Sequence, residues 1–141
     1  MNAMFVKTKS GVANVANGKT VLPADDRLVV LDKTCNLILN ETGDHVGELF
    51  DKILKAVKPE KGKCLMLESG GWIHASAISN AFISSKSGSL LITAMNSDNL
   101  LAMFTPEEYS DLDGLRDAMV DALIAFSEGS DLPTVNWSEY R

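Results

Sequence analysis

Few residues in this chain are of types that do chemistry: two histidines, His45 and His74, two cysteines, Cys35 and Cys64, and scattered serines and carboxylates. His74 stands two residues after Trp72 and two before Ser76, so a regular strand would turn all three toward one face as a recognition patch. A serine and a histidine become nucleophile and base only when an acid converges on them in space. The plainer reading packs Trp72 in a core and leaves His74 at a sheet edge. His45 falls in the first turn of a helix, where a neutral imidazole needs no function. Metal centres need clustered ligands, and the chain has no CxxC or HExxH, so neither metal nor cofactor is expected. The phosphate loop GxxxxGK[ST], GxGxxG and GxSxG are absent, and the glycines of Ser69-Gly70-Gly71 and Ser87-Gly88-Ser89 belong to turns. Asp25-Asp26 reads as a turn and Glu107-Glu108 as a helix start, which leaves no catalytic carboxylate pair. A small enzyme with a site near His74 is the least favoured class.

Charge points elsewhere. The net charge of −6 is uneven: residues 1–104 hold 11 Lys+Arg and 10 Asp+Glu, while residues 105–141 hold 2 and 9. That acidic end would repel a phosphate backbone and attract a basic surface, so direct nucleic-acid binding is disfavoured. Lysines 52, 55, 58, 61 and 63 trail the end of a first helix, where positive charge complements free carbonyls. The first twenty residues are broken by Lys7, Lys9, Gly11, Asn14, Asn17 and Gly18 and make no export signal, so a cytoplasmic location and two buried thiols are expected. No apolar run approaches the roughly 20 residues of a membrane helix.

At 141 residues the chain is sized for a single domain. From Lys63 onward it reads as an antiparallel meander: a strand over 63–68, a turn at 69–71, a second strand over 72–83 broken near Ile78, a strand over 90–95, a turn over 96–99 and a strand over 100–104. Thr105-Pro106-Glu107-Glu108 then predicts a helix N-terminus, with Ser110-Asp111 as a second cap. Leu112, Leu115, Met119, Ala122, Leu123 and Phe126 recur at helical spacing, with Asp113, Asp117 and Asp121 on another face. Upstream, 27–32 and 35–40 form a hairpin, and Thr42 or Asp44 caps a helix whose stripe is Val46, Leu49, Phe50, Ile53, Leu54 and Val57. Residues 4–8 and 12–15 are weaker strand candidates, and Asn17-Gly18 is a turn. The expected class is α+β, with antiparallel meanders and two amphipathic helices packed on the sheet. Residues 20–58 and 72–128 share the order strand, turn, strand, helix, which either a pseudo-repeat of ββα type or any two amphipathic ββα units would give, and 129–141 is a C-terminal tail. LLITAM and LLAMF are apolar on both faces, which calls for cover from the N-terminal strands or from a second copy.

The segment RLVVLDKTCNLILNETGDHVGELFD, residues 27–51, resembles the hairpin-then-helix of PqqD-like peptide-binding domains. The resemblance spans about 25 residues and no function is carried over, because the chain then turns through KPEKGK into a meander. The functional expectation is a non-catalytic protein–protein interaction module (adaptor, chaperone or assembly accessory). Its binding face would comprise Asp113, Asp117, Asp121, Trp137 and Tyr140, its partners a basic protein and a second copy in a homodimer. The alternative is an acidic inhibitor, an immunity or anti-defence protein that blocks a basic nucleic-acid enzyme.

Overall fold

The computed structural model describes residues 3–95 and 99–141. The fold is α+β, with antiparallel sheets and two helices packed on them. A hairpin of β1 (Phe5–Lys7) and β2 (Val12–Asn14) opens the chain. Then come β3 (Thr20–Pro23), β4 (Arg27–Leu31), β5 (Leu37–Thr42) and helix α1 (Val46–Ala56). The order repeats: a hairpin of β6 (Cys64–Met66) and β7 (Trp72–His74), then β8 (Ile78–Ile83), β9 (Leu90–Ala94), β10 (Leu100–Phe104) and helix α2 (Leu112–Ser127).

The second hairpin does not stay with its own meander. It joins the first through β3 and β7, giving a five-stranded sheet in the order β5-β4-β3-β7-β6, while β10-β9-β8 form a separate sheet. Gly71 permits the junction, because a Cβ there would run into Pro23 and the Val21 carbonyl. The five-stranded sheet separates two apolar cores, as its alternation dictates. Val21, Leu28, Val30, Leu39 and Trp72 face one core with α1 and the first hairpin. Leu31, Leu65 and Ile73 face the other with the three-stranded sheet, α2 and Trp137.

Several boundaries differ from the sequence expectation. The break near Ile78 is a 3-10 turn over Ala75–Ala77. Thr105-Pro106-Glu107-Glu108 makes a single turn closed by the Tyr109 N–H on the Thr105 carbonyl, and α2 starts later with Asp111 as its cap, accepting from Gly114 at 2.9 Å. Neither Thr42 nor Asp44 caps α1, whose N-cap is His45 without a side-chain bond. Strand β3 escaped the sequence reading because Pro23 and Gly18 mask a short run. The expected 96–99 turn falls largely outside the described residues.

Candidate functional site

Three lysines distant in sequence meet at one end of the central sheet. Lys19 precedes β3, Lys33 sits in the β4–β5 turn and Lys63 precedes β6. Each is held by its main-chain carbonyl, and each donor belongs to the segment Trp72–Ser76. The Trp72 indole Nε1–H donates to the Lys19 carbonyl at 3.0 Å, the Ala75 N–H to that of Lys63 at 2.9 Å, and the Ser76 hydroxyl to that of Lys33 at 3.1 Å. His74 anchors the segment, its N–H donating to Thr20 Oγ1 at 3.0 Å. Lys33 rides on a tight turn in which Asp32 Oδ1 accepts from the Thr34 and Asn36 N–H groups at 2.9 Å each.

The three lysines, Glu60, His74, Ala75, Ser76 and Phe126 of α2 line an open cavity of about 470 Å³. Glu60 lies 3.3 Å from Lys63, 3.6 Å from Lys19 and 3.7 Å from His74 Nε2. The hydrogen bond and charge of Lys63, with His74 and Lys19, hold the Glu60 carboxyl below its ordinary range against the pull of desolvation. Among the described residues Lys33 has no carboxylate at ion-pair distance.

The sequence-predicted patch divides. Trp72 and His74 share a face of β7, but Trp72 is buried, and Ser76 stands in the following 3-10 turn. His74 Nδ1 accepts the Ser76 N–H at 3.1 Å, with the Ser76 hydroxyl 2.8 Å away. His74 Nδ1 is taken by the Ser76 N–H, and the Ser76 hydroxyl donates to the Lys33 carbonyl. Glu60 at 3.7 Å from Nε2 is beyond hydrogen-bond reach. Ser76, His74 and Glu60 thus do not form a charge-relayed nucleophile; they brace the lysines.

Two other polar clusters tie each hairpin to its helix. In the first half Glu41 accepts from the Lys9 N–H at 2.7 Å and lies 3.2 Å from His45 Nε2, contacts that lower its carboxyl's affinity for protons. In the second half Glu68 accepts from the Tyr109 hydroxyl and from Arg141 at 2.8 Å, with the Arg141 guanidinium over the Tyr109 ring. Arg141 and Tyr109 hold Glu68 below its usual range, while burial and Glu68 push the Tyr109 phenol up to about 12.

The expected acidic face is present on α2: Asp113, Asp117 and Asp121 are exposed, with Arg116 3.7 Å from Asp113 and 3.0 Å from Asp117. Trp137 is not part of an exposed face. Its ring is buried, stacks on Phe104 with centroids 5.2 Å apart, and donates to the Met66 carbonyl at 3.2 Å, while Tyr140 is half-buried against the same core. Cys64 is buried and its thiol is pushed up by desolvation; Cys35 is only half-buried, correcting the expectation of two buried thiols. No cluster of metal-ligating side chains occurs among the described residues. No helix among them is long and apolar enough to cross a membrane.

No family model matches the chain, and no curated protein matches it. A solved structure similar to it is described as the LytTr DNA-binding domain of a response regulator from Bacillus cereus. It is 13% identical, with a TM-score of 0.45, over 89% of this chain and 99% of that one. At that TM-score the likeness carries no argument about what this chain binds. The expected interaction module with its inhibitor alternative, and the exclusion of direct nucleic-acid contact, are corrected; the neighbour's printed description, a DNA-binding domain, differs from both. The physical reasons lie in this chain. Net charge is not local charge, since one groove gathers three lysines against one glutamate. The inward side chains of LLITAM and LLAMF, Leu90, Ile92, Ala94, Leu101 and Phe104, are buried within the chain's own core, while Met95, Leu100 and Met103 on the outward face stay exposed.

Proposed function

We propose that this chain binds single-stranded nucleic acid through its phosphate backbone, in the groove of Lys19, Lys33 and Lys63. The observation that carries the reading is the common origin of the three donors: one short segment, Trp72–Ser76, holds the main chain of all three lysines. The fixed backbones set where the three lysine stems leave the fold, so their ammonium groups gather over one groove and attract phosphates together. The half-buried Phe126 offers a ring face within the same cavity. Bases stacked on aromatic rings gain about 1–3 kcal/mol each, and an unpaired base is free to do so while a paired one is not. Glu60 serves as the resident counter-ion that an incoming phosphate replaces.

The test is fluorescence anisotropy of a labelled oligothymidylate and of a duplex of equal length. The triple variant Lys19→Ala, Lys33→Ala, Lys63→Ala is expected to lose at least tenfold in affinity with an unchanged circular dichroism spectrum. Phe126→Ala is expected to weaken single-strand binding more than duplex binding. Equal binding by the triple variant, or tighter binding of the duplex, would overturn the proposal.

A further inference from the structure

A second cavity, of about 570 Å³, runs along β4 from Arg27 to Leu31, between the five-stranded sheet and strands β9 and β10. Its walls are apolar: Leu22 and Pro23 of β3, Val29 and Leu31 of β4, Leu37 of β5, and Leu100 and Leu101 of β10. Leu37 is 61% exposed and Leu100 is 48% exposed, which is costly for leucines unless something covers them. The volume falls within the roughly 300–1,000 Å³ of small-molecule sites.

Arg27 is the cation of this lining. Its Nε–H donates to Asn40 Oδ1 at 3.2 Å, which steers the planar guanidinium and leaves its terminal nitrogens without a carboxylate among the described residues. Asp25 and Asp26 lie in the preceding turn, and neither is at ion-pair distance from Arg27. Guanidinium matches a carboxylate bidentately, and apolar walls match an alkyl chain.

We infer that this groove binds a free medium-chain monocarboxylate, its chain along Leu22, Val29, Leu37 and Leu100 and its carboxylate on Arg27. Charge complementarity selects the acid over other amphiphiles: Arg27 is the cation of a lining that is mainly apolar, with Asn40 and Asn99 as its amides. Cys35 also lines the groove, its Sγ–H donating to the Ala77 carbonyl at 3.3 Å, so a ligand seated there shields this thiol. Cys64 is buried in the other core, which makes alkylation of the folded protein a report on Cys35.

Decanoate, decanol and decyltrimethylammonium, each below its micelle concentration, are titrated by calorimetry, with the rate of Cys35 alkylation by iodoacetamide followed in parallel by mass spectrometry. Decanoate is expected to bind saturably and slow alkylation, to lose about tenfold in Arg27→Gln, and to bind more weakly when shortened, by up to about fourfold per methylene. Arg27→Lys, which keeps the charge but not the fork, should fall between wild type and Arg27→Gln. Decanol or the cation binding as tightly as decanoate, unchanged affinity in Arg27→Gln, or unaltered alkylation at saturating decanoate would each overturn the inference. Circular dichroism and the urea unfolding midpoint serve as the fold control for every variant.

Discussion

The two halves of this molecule share an order of elements and differ in charge and in what their hairpins do. Each runs hairpin, three-stranded meander, helix. We propose that this shared order reflects an internal duplication of residues 20–58 and 72–128, extended to the hairpin that precedes each. Residues 1–63 hold ten Lys+Arg against eight Asp+Glu, and residues 64–141 hold three against eleven. The first hairpin forms its own two-stranded sheet beside α1, whereas the second crosses over to pair with β3. The crossing brings Trp72–Ser76 against the lysine carbonyls. Cations of one half are therefore held by a segment of the other, and among the described residues no acid of the second half is at ion-pair distance from Lys19, Lys33 or Lys63.

The largest effect should separate the two tryptophans. Trp72→Ala is expected to cost about 3–5 kcal/mol in urea unfolding, and to weaken oligonucleotide binding as well, because the same indole pins Lys19. Trp137→Ala removes a ring from the other core at a similar stability cost, with binding retained in the folded fraction. Equal binding losses would mean that the segment does not organise the site.

Next in size is an alkaline effect confined to the second half. Tyr109, buried and bonded to Glu68, has its phenol raised to about 12 from 10.0. The stability it contributes is complete below pH 10 and is lost as pH rises from 10 through about 12, amounting to about 3 kcal/mol. Tyr109→Phe should flatten unfolding midpoints across that window. An acid effect, smaller, compares Glu41 with Glu68. Both carboxyls are depressed in the fold, so their contributions are present above their ordinary range and are lost as pH falls below about 4.5. Glu41→Gln and Glu68→Gln should each reduce the steepness of the acid limb in urea titrations, and the double variant should reduce it further. Smallest of all, Glu60→Gln is expected to tighten oligonucleotide binding about threefold at low salt by removing the counter-ion; weaker binding would show that Glu60 positions the lysines instead.

Periodicity made most of the architecture legible. The stripes of Val46, Leu49 and Ile53 and of Leu112, Leu115 and Met119 are buried as their spacing requires, and the strands β6 to β10 are set off by their turn residues, but the expected single meander is split, because β6 and β7 join the other sheet. Caps were less legible, because Thr105-Pro106-Glu107-Glu108 and Asp111 are both good helix starts and only packing decides between them. Trp72, His74 and Ser76 were found from their spacing, but their role was not, since it depends on carbonyls of residues 19, 33 and 63. Main-chain acceptors leave no trace in residue type. For the same reason the lysines read as a helix-end tail and a few scattered charges, and net charge hid the groove that their convergence makes. The signal that existed was Lys19 and Lys33, each next to a turn in an otherwise apolar stretch.

The most direct test is the salt dependence of oligothymidylate binding by wild type and by the Lys19→Ala, Lys33→Ala, Lys63→Ala variant. Three phosphate contacts predict a log–log slope of about −2 for wild type, from about −0.7 per contact on single strands, and a slope near zero for the variant. Equal slopes for the two proteins would contradict a phosphate-binding groove at these lysines.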